Sequence, residues 1–418
     1  MPISGQGPQD EIDIKEPELE ILDLEYLTSQ IEAVNRSLVT FTNFIHSRGR
    51  FLQLNVKEQG HFFINDAYLF LCVYDASKDT MPEQDKHMGR SFQTLSDKII
   101  DPISPALAVV DLEEMVSEDE AAIKMSGIFS SQINEHPDEI QGTRNEPLLK
   151  CAIYFWKGSK CSRIAYSTFK FKTLPEMELL VNRMYNCPIE IITLPQHKEP
   201  FALLAHFQNT AIYHLGQRSI LLNSPKLQYG TIRVYQFRHD LRYYTLRACQ
   251  VDATSFNLVT TDYFYVHTIT TGYIWVGSKA DKASISKVHE MVSKIQLLIE
   301  EFVPIEIHNQ GEECQFLLQY TNDIIDIQVI KVAKFTYVDD KFTLKALPFY
   351  TAQDLDIDAT LVIWAQDSIS LWIGEQASQV VISKLKQRIG PGVTLINQGE
   401  ESKQFKSHFH GWSIDSTS

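Results

Sequence analysis

Ile153-Tyr154-Phe155-Trp156-Lys157-Gly158 is an aromatic-rich apolar run that stops at Trp-x-Gly, and the ending recurs twice, as Tyr273-Ile274-Trp275-Val276-Gly277 and Ser370-Leu371-Trp372-Ile373-Gly374. Each run reads as a buried strand, and its repetition marks an internal repeat. Working outward, a helix-compatible stretch and another strand follow each Trp. Then comes a charged turn: Gln196-His197-Lys198-Glu199-Pro200, Asn309-Gln310-Gly311-Glu312-Glu313 and Asn397-Gln398-Gly399-Glu400-Glu401, with Phe207, Phe316 and Phe405 beyond. Trp and aligned Glu are 43, 38 and 29 residues apart, so the units are diverged domains and not a fixed-period solenoid.

Upstream of each Trp lies a second alternating strand that starts near an Asp, at Asp66, Asp262 and Asp358. Thr270-Thr271-Gly272 reads as a tight hairpin in the second unit, and Ala365-Gln366-Asp367-Ser368 occupies that place in the third. In the first unit residues 76–148 intervene, with Pro82, Pro102, Pro105, Pro137 and Pro147 and an acidic run from Glu113 to Glu120. So long a connection reads as a surface insertion, helical around 91–99 and 109–129. The predicted organisation is an acidic mobile tail over 1–35, domains over 36–216, 229–322 and 328–413, and linkers near 217–228 and 322–327.

The net charge of −15 argues against general nucleic-acid binding, which needs a basic surface. Cys72, Cys151, Cys161, Cys187, Cys249 and Cys314 form no CxxC pair and read as reduced thiols. The N-terminus has neither a basic nor an apolar leader region, and no apolar run reaches the roughly 20 residues a membrane helix needs. A cytoplasmic protein is expected. Walker, Gly-x-Gly-x-x-Gly and Gly-x-Ser-x-Gly signatures are missing, so the expectation is a protein that is not an enzyme. His408 and His410 read as exposed terminal histidines, and Lys384, Lys386 and Arg388 as a solvated helix face.

Taken together, Gly60-His-Phe-Phe-Ile-Asn-Asp66, Tyr154-Phe-Trp-Lys-Gly158, Lys198-Glu-Pro200 and Gln398-Gly-Glu-Glu with Gly411-Trp412 resemble the gelsolin/villin superfamily. The order of units over residues 36–413 resembles its C-terminal three-domain half, and the long insertion resembles the supervillin branch. The resemblance implies an α+β fold of three tandem gelsolin-like domains, each a mixed central sheet flanked by a long and a short helix. It implies an actin-binding, cytoskeleton-associated regulator or scaffold. The alternative is an adaptor that kept the fold, lost actin and docks other proteins through 76–148.

The resemblance also implies a calcium site in each domain, built on the strand-start Asp and a Glu nine residues after the Trp. Asp66 and Asp262 remain as half-sites; counting back in the third unit reaches Ala359, with Asp358 one residue away. The Glu position holds Ala165, Ser284 and Val381, and only Asp281 could compensate nearby. Loss of that carboxylate removes charge and ligand oxygens, so no calcium cofactor and no calcium activation are expected. For actin contact, the resemblance points to the helix from Ser162, with Arg163, Ile164, Ser167, Phe169 and Lys170 as candidates; the alternative is that Ile164 and Phe169 face the protein's own sheet. Pro175 should shorten that helix or restart it.

Overall fold

The computed structural model describes residues 24–78, 148–223, 227–228, 230–240, 244–253, 256–320, 323–327, 330–338, 341–347, 349–365, 368–388 and 393–412; the predicted mobile segment up to 23 and the predicted helices at 91–99 and 109–129 lie outside them. The chain opens on helix α1 (Leu24–Ser37). This corrects the expected tail. Leu27, Ile31 and Val34 recur at helical spacing, and Leu27 and Val34 are buried against the core of the first unit. The Asn35 side chain donates to the Ala205 carbonyl at 3.3 Å.

The first sheet is formed by β1 (Leu38–Ser47), β2 (Arg50–Gln53), β4 (Ala67–Asp75), β5 (Leu149–Lys157) and β6 (Ile189–Pro195), in the order β2-β1-β4-β5-β6. β3 (His61–Phe63) leaves it for a neighbouring sheet. β4 and β5 pair antiparallel up to Asp75 and Leu149, so the intervening segment closes a hairpin. β5 and β6 run parallel, which demands a crossover. That crossover is α2 (Arg163–Thr168), a π-helical segment Phe169–Thr173 and α3 (Leu174–Tyr185). Short α4 (Phe201–Ala205), β7 (Thr210–His214) and α5 (Arg218–Asn223) complete the unit.

The same strand order recurs. In the middle unit it runs through β8 (Arg233–Asp240), β9 (Thr245–Val251), β11 (Tyr263–His267), β12 (Gly272–Val276) and β13 (Ile305–Asn309), with α6 (Ile285–Ile299) as crossover and α7 (Gln315–Tyr320) following. β10 (Leu258–Val259) pairs parallel with β14 (Ile324–Ile325). The last unit uses β15 (Lys331–Val338), β16 (Lys341–Leu347), β17 (Thr360–Ala365), β18 (Ser368–Ile373) and β19 (Thr394–Asn397), with α8 (Gln379–Arg388) and terminal α9 (Lys403–His408). Each sheet buries both faces.

Both expected linkers are corrected in part. Within 217–228, Arg218 donates its backbone N–H to Asp66 at 2.7 Å and its guanidinium to Glu58, which ties α5 to the first unit. Within 322–327, β14 pairs with β10, and Asp326 accepts from Thr260 Oγ1 at 2.8 Å.

The charged turns explain why the Trp-x-Gly ending recurs. The indole N–H of Trp156 donates to Glu199 at 2.7 Å, that of Trp275 to Glu313 at 2.9 Å, and that of Trp372 to Glu401 at 2.9 Å. In the same turns the side-chain oxygens of Gln196, Gln310 and Gln398 accept the backbone N–H three residues after each Trp. The residue after each Gln turns left-handed: His197 at φ 65°, Gly311 at 92° and Gly399 at 90°. The glycine of each Trp-x-Gly is needed for close approach. A Cβ on Gly158, Gly277 or Gly374 would sit 2.3, 2.2 or 2.4 Å from the carbonyl oxygen of Ile64, Thr260 or Ile357. A buried indole N–H usually finds an acceptor; in these three turns one carboxylate serves it and closes the turn.

Candidate docking helix and the seams between units

The crossover of the first unit is one-sided. Ala165, Phe169, Thr173, Met177 and Val181 are buried at a repeat of four residues. In a regular α-helix such a repeat drifts around the axis, since a turn holds 3.6 residues. The wider π-helical turn at Phe169–Thr173 absorbs the drift, so the whole stripe faces the sheet. Pro175 neither shortens nor restarts the helix as expected: the backbone stays helical through Thr168, Phe169, Thr173 and Leu174, and the proline follows directly on the π-helical turn, where the Leu174 N–H already reaches back five residues to the Phe169 carbonyl. Ser162 caps α2, its hydroxyl accepting the Ile164 N–H at 3.2 Å.

This geometry sorts the expected actin-contact residues. Arg163, Ile164, Ser167 and Lys170 lie on the exposed side. Phe169 does not: it is 2% exposed and stacks on Phe155 at 4.6 Å between ring centroids. That expectation is corrected, because Phe169 follows the buried Ala165 by four residues and so shares its sheet-facing side. Phe171 is 77% exposed, Leu179 73% and Ile164 66%. Phe171 and Leu179 were missed by sequence reasoning, which named candidates only up to Lys170 and expected Pro175 to shorten or restart the helix. Lys172 and Arg183 stand exposed on the same crossover.

The two calcium half-sites have other partners. Asp66 accepts the Arg218 backbone N–H, and its burial pushes the carboxyl above its usual range. Asp262 is fully buried. Its Oδ1 accepts from Arg238 Nε at 2.8 Å and Thr261 Oγ1 at 3.0 Å; its Oδ2 accepts from Arg238 Nη2 at 2.7 Å and Gln236 Nε2 at 2.5 Å. Burial works against the Arg238 charge, but Asp262 more than offsets it and the guanidinium pKa rises. In the third unit the Gly374 N–H donates to Ala359 as Gly158 and Gly277 donate to Asp66 and Asp262. Ala359 is therefore the equivalent position, and Asp358 is exposed beside it. Ala165 and Val381 are buried apolar residues, and Asp281 is engaged in capping, accepting from Ala283 N–H and the Ser284 hydroxyl. Calcium takes six to eight oxygens, and this donor set, saturated by an arginine in the middle unit, does not fit it. Among the described residues no group of three or more His, Cys, Asp or Glu is placed to hold a metal ion.

His410 also departs from expectation. Neither it nor His408, which ends α9 and is half-buried, is an exposed histidine. His410 is buried, donating from Nε2 to the Gln236 carbonyl at 3.0 Å, with Nδ1 at 3.7 Å from the Cys249 thiol. Its sequence signal was weak because its partners lie more than 160 residues upstream. The side chains of Lys384, Lys386, Arg388 and Phe316 lie outside the described residues. All six cysteines are free. Burial pushes the Cys151 thiol up to about 12.

The first and second units share a sheet. β7 runs parallel to β9 and carries β3 on its outer side, so both strands extend the middle sheet to seven. His61, His214 and Tyr235 form a buried hydrogen-bonded row across this seam, at 2.8 and 3.0 Å. Beside it Arg247, 1% exposed, donates to Glu199 at 2.6 Å and to the Tyr213 hydroxyl at 2.7 Å, and pairs with Asp240 at 3.5 Å. Phe349 of the third unit covers this guanidinium at 4.9 Å, a cation–π contact. Lys198 reaches Asp354 of the third unit at 2.6 Å.

No family model matches the chain. Its curated relatives include flightless-1 of Drosophila melanogaster, 22% identical over 91% of this chain and 29% of that protein, and its Mus musculus homologue, 22% identical over 96% and 30%. Gallus gallus gelsolin is 22% identical over 63% of this chain and 36% of its own length. The chain thus spans about three tenths of the flightless-1 proteins it matches. A solved Thorarchaeota 2DGel3 complex with rabbit actin matches 43% of this chain at 15% identity and a TM-score of 0.19. The relatives bear out the expected resemblance at the level of the gelsolin superfamily. Among the described residues no helix is long and apolar enough to cross a membrane.

Proposed function

We propose that this chain, whose relatives are proteins of the gelsolin superfamily, is a cytoskeletal regulator or scaffold that docks on actin through the exposed side of its first crossover helix and needs no calcium to do so. The observation that carries the reading is the outward trio Ile164, Phe171 and Leu179 on a helix whose other face is fully packed. Apolar anchors at helical intervals are how a helix seats in a partner's groove, and Arg163, Lys170 and Lys172 supply a basic border around them. The role is binding: nothing in the reading calls for a chemical step. The donor sets around Asp66 and Asp262 support the calcium-independent part.

The second reading, an adaptor that docks partners through 76–148, draws support from the β4–β5 pairing, which holds both ends of that segment together. Binding to filamentous and monomeric actin, measured in calcium and in chelator, separates the two. Phe171→Asp and Leu179→Asp are expected to weaken binding at least tenfold each, about 1.4 kcal/mol, with thermal stability unchanged. Deletion of 79–147 is expected to leave it intact. If the parent binds neither form of actin, the adaptor reading replaces the first; binding that survives the helix variants and is abolished by the deletion would move the actin contact from the helix to 76–148.

A further inference from the structure

Four oxygens from two units converge on a single guanidinium. Arg238, on β8 of the middle unit, gives Nε and Nη2 to the two oxygens of Asp262, Nη1 to the His408 carbonyl and Nη2 again to the Ser407 carbonyl at 2.9 Å. The carbonyls end α9 of the third unit, so one side chain spans the boundary. Neighbouring groups complete the enclosure. Gln236 Oε1 accepts the Gly411 N–H at 3.0 Å while its Nε2 donates to Asp262, and its backbone carbonyl accepts from His410. A carboxylate and backbone carbonyls are hard oxygen donors of the kind a divalent cation gathers. Here a planar arginine, which cannot lose its proton in a protein, occupies their focus.

We propose that Arg238 is a built-in cation: it takes the position an external divalent ion would need and clasps the third unit to the second, so the seam stays closed whatever the calcium concentration. The claim goes beyond the docking reading, since it concerns the seam and stands whether or not the first crossover helix binds actin. It also assigns the Asp262 half-site a use. The carboxylate is retained as the anchor of the clasp and the ion is replaced by a side chain.

Hydrogen exchange on the full chain, with and without calcium chloride on the order of 1 mM, the upper range for weak calcium sites, tests this. In the parent protein the amides of 403–412 should exchange at the same rate in calcium and in chelator. In Arg238→Ala they should exchange at least tenfold faster in chelator while β11 and β12 keep their protection. Calcium should slow them again, because Asp262 and both carbonyls then face the vacated position without a cation. Calcium should not slow them in Arg238→Lys, whose ammonium still fills the position. If Arg238→Ala also loses the middle sheet's protection, Arg238→Lys decides, and selective loosening of 403–412 is required. Calcium-sensitive exchange in the parent, unchanged protection in Arg238→Ala, or loosening that calcium does not reverse would each overturn the proposal.

Discussion

Between the first and second units the chain runs a continuous sheet, with β3 and β7 hydrogen-bonded onto β9; between the second and third it relies on side chains that reach from Arg238 and Gln236 to α9 and its last residues. A ladder of backbone bonds cannot slide without losing several partners at once. A clasp opens when one residue lets go. The three Trp–Glu locks reflect the same division. Glu401 serves its own turn, accepting Trp372 and the Gly399 N–H. Glu199 accepts Trp156 and His197 N–H on one oxygen and Arg247 with Tyr213 on the other, so the first unit's lock is also a part of the seam.

The largest expected effect sharpens this contrast. Glu199→Gln keeps the shape and an acceptor for Trp156 but removes a charge facing Arg247, both residues being buried. Breaking one partner of such a pair costs about 3–5 kcal/mol. Denaturant unfolding should therefore show a far larger loss for Glu199→Gln than for Glu401→Gln, expected near 1 kcal/mol because only neutral donors face that carboxylate. Equal losses would mean that Arg247 draws no stability from Glu199.

A pH titration separates the seams less sharply. Burial, with the Lys294 charge nearby, lowers the His61 pKa to about 3, and burial beside Arg238 lowers that of His410 to about 3. Burial, His61 and Arg233 lower that of His214 as well. An unfolded histidine titrates near 6.5. Between pH 6.5 and 3 the unfolded chain thus binds more protons, and stability falls as pH falls. His61→Gln and His410→Gln should each flatten the stability profile between pH 6.5 and 5. A profile unchanged in both variants would exclude these side chains as the source of the slope.

The smallest effect is expected at the rim. Lys198→Ala removes the ion pair to Asp354, whose lysine end is about a third exposed, and should change stability by about 0–1 kcal/mol. Salt should weaken the parent's contact correspondingly. A loss as large as that of Glu199→Gln would make this pair a main tie to the third unit, alongside Arg238 and Gln236.

The sequence announced the repeated parts and hid the connecting ones. Trp156, Trp275 and Trp372 could be read because a buried strand concentrates aromatic residues and ends abruptly at a glycine that no side chain could replace. Glu199, Glu313 and Glu401 followed from alignment of the turns, and each accepts its indole. Helix α1 was obscured by the acids around Leu27, Ile31 and Val34, since composition outweighed a three-residue stripe. Leu179 was hidden by the π-helical turn, a local change of helical period that no spacing rule anticipates. Arg238 was invisible for a simpler reason: its partners lie 24 and 170 residues away, and only folding brings them to one point.

The most direct test of the two-seam account is amide exchange measured along the intact parent chain in one experiment. The account predicts that the β7 amides are protected as strongly as those of β8 and β9, and that 403–412 opens at lower free energy than either, as an independent local event. Protection of β7 that tracks the first sheet and not the middle one, or 403–412 exchanging only with global unfolding, would contradict it.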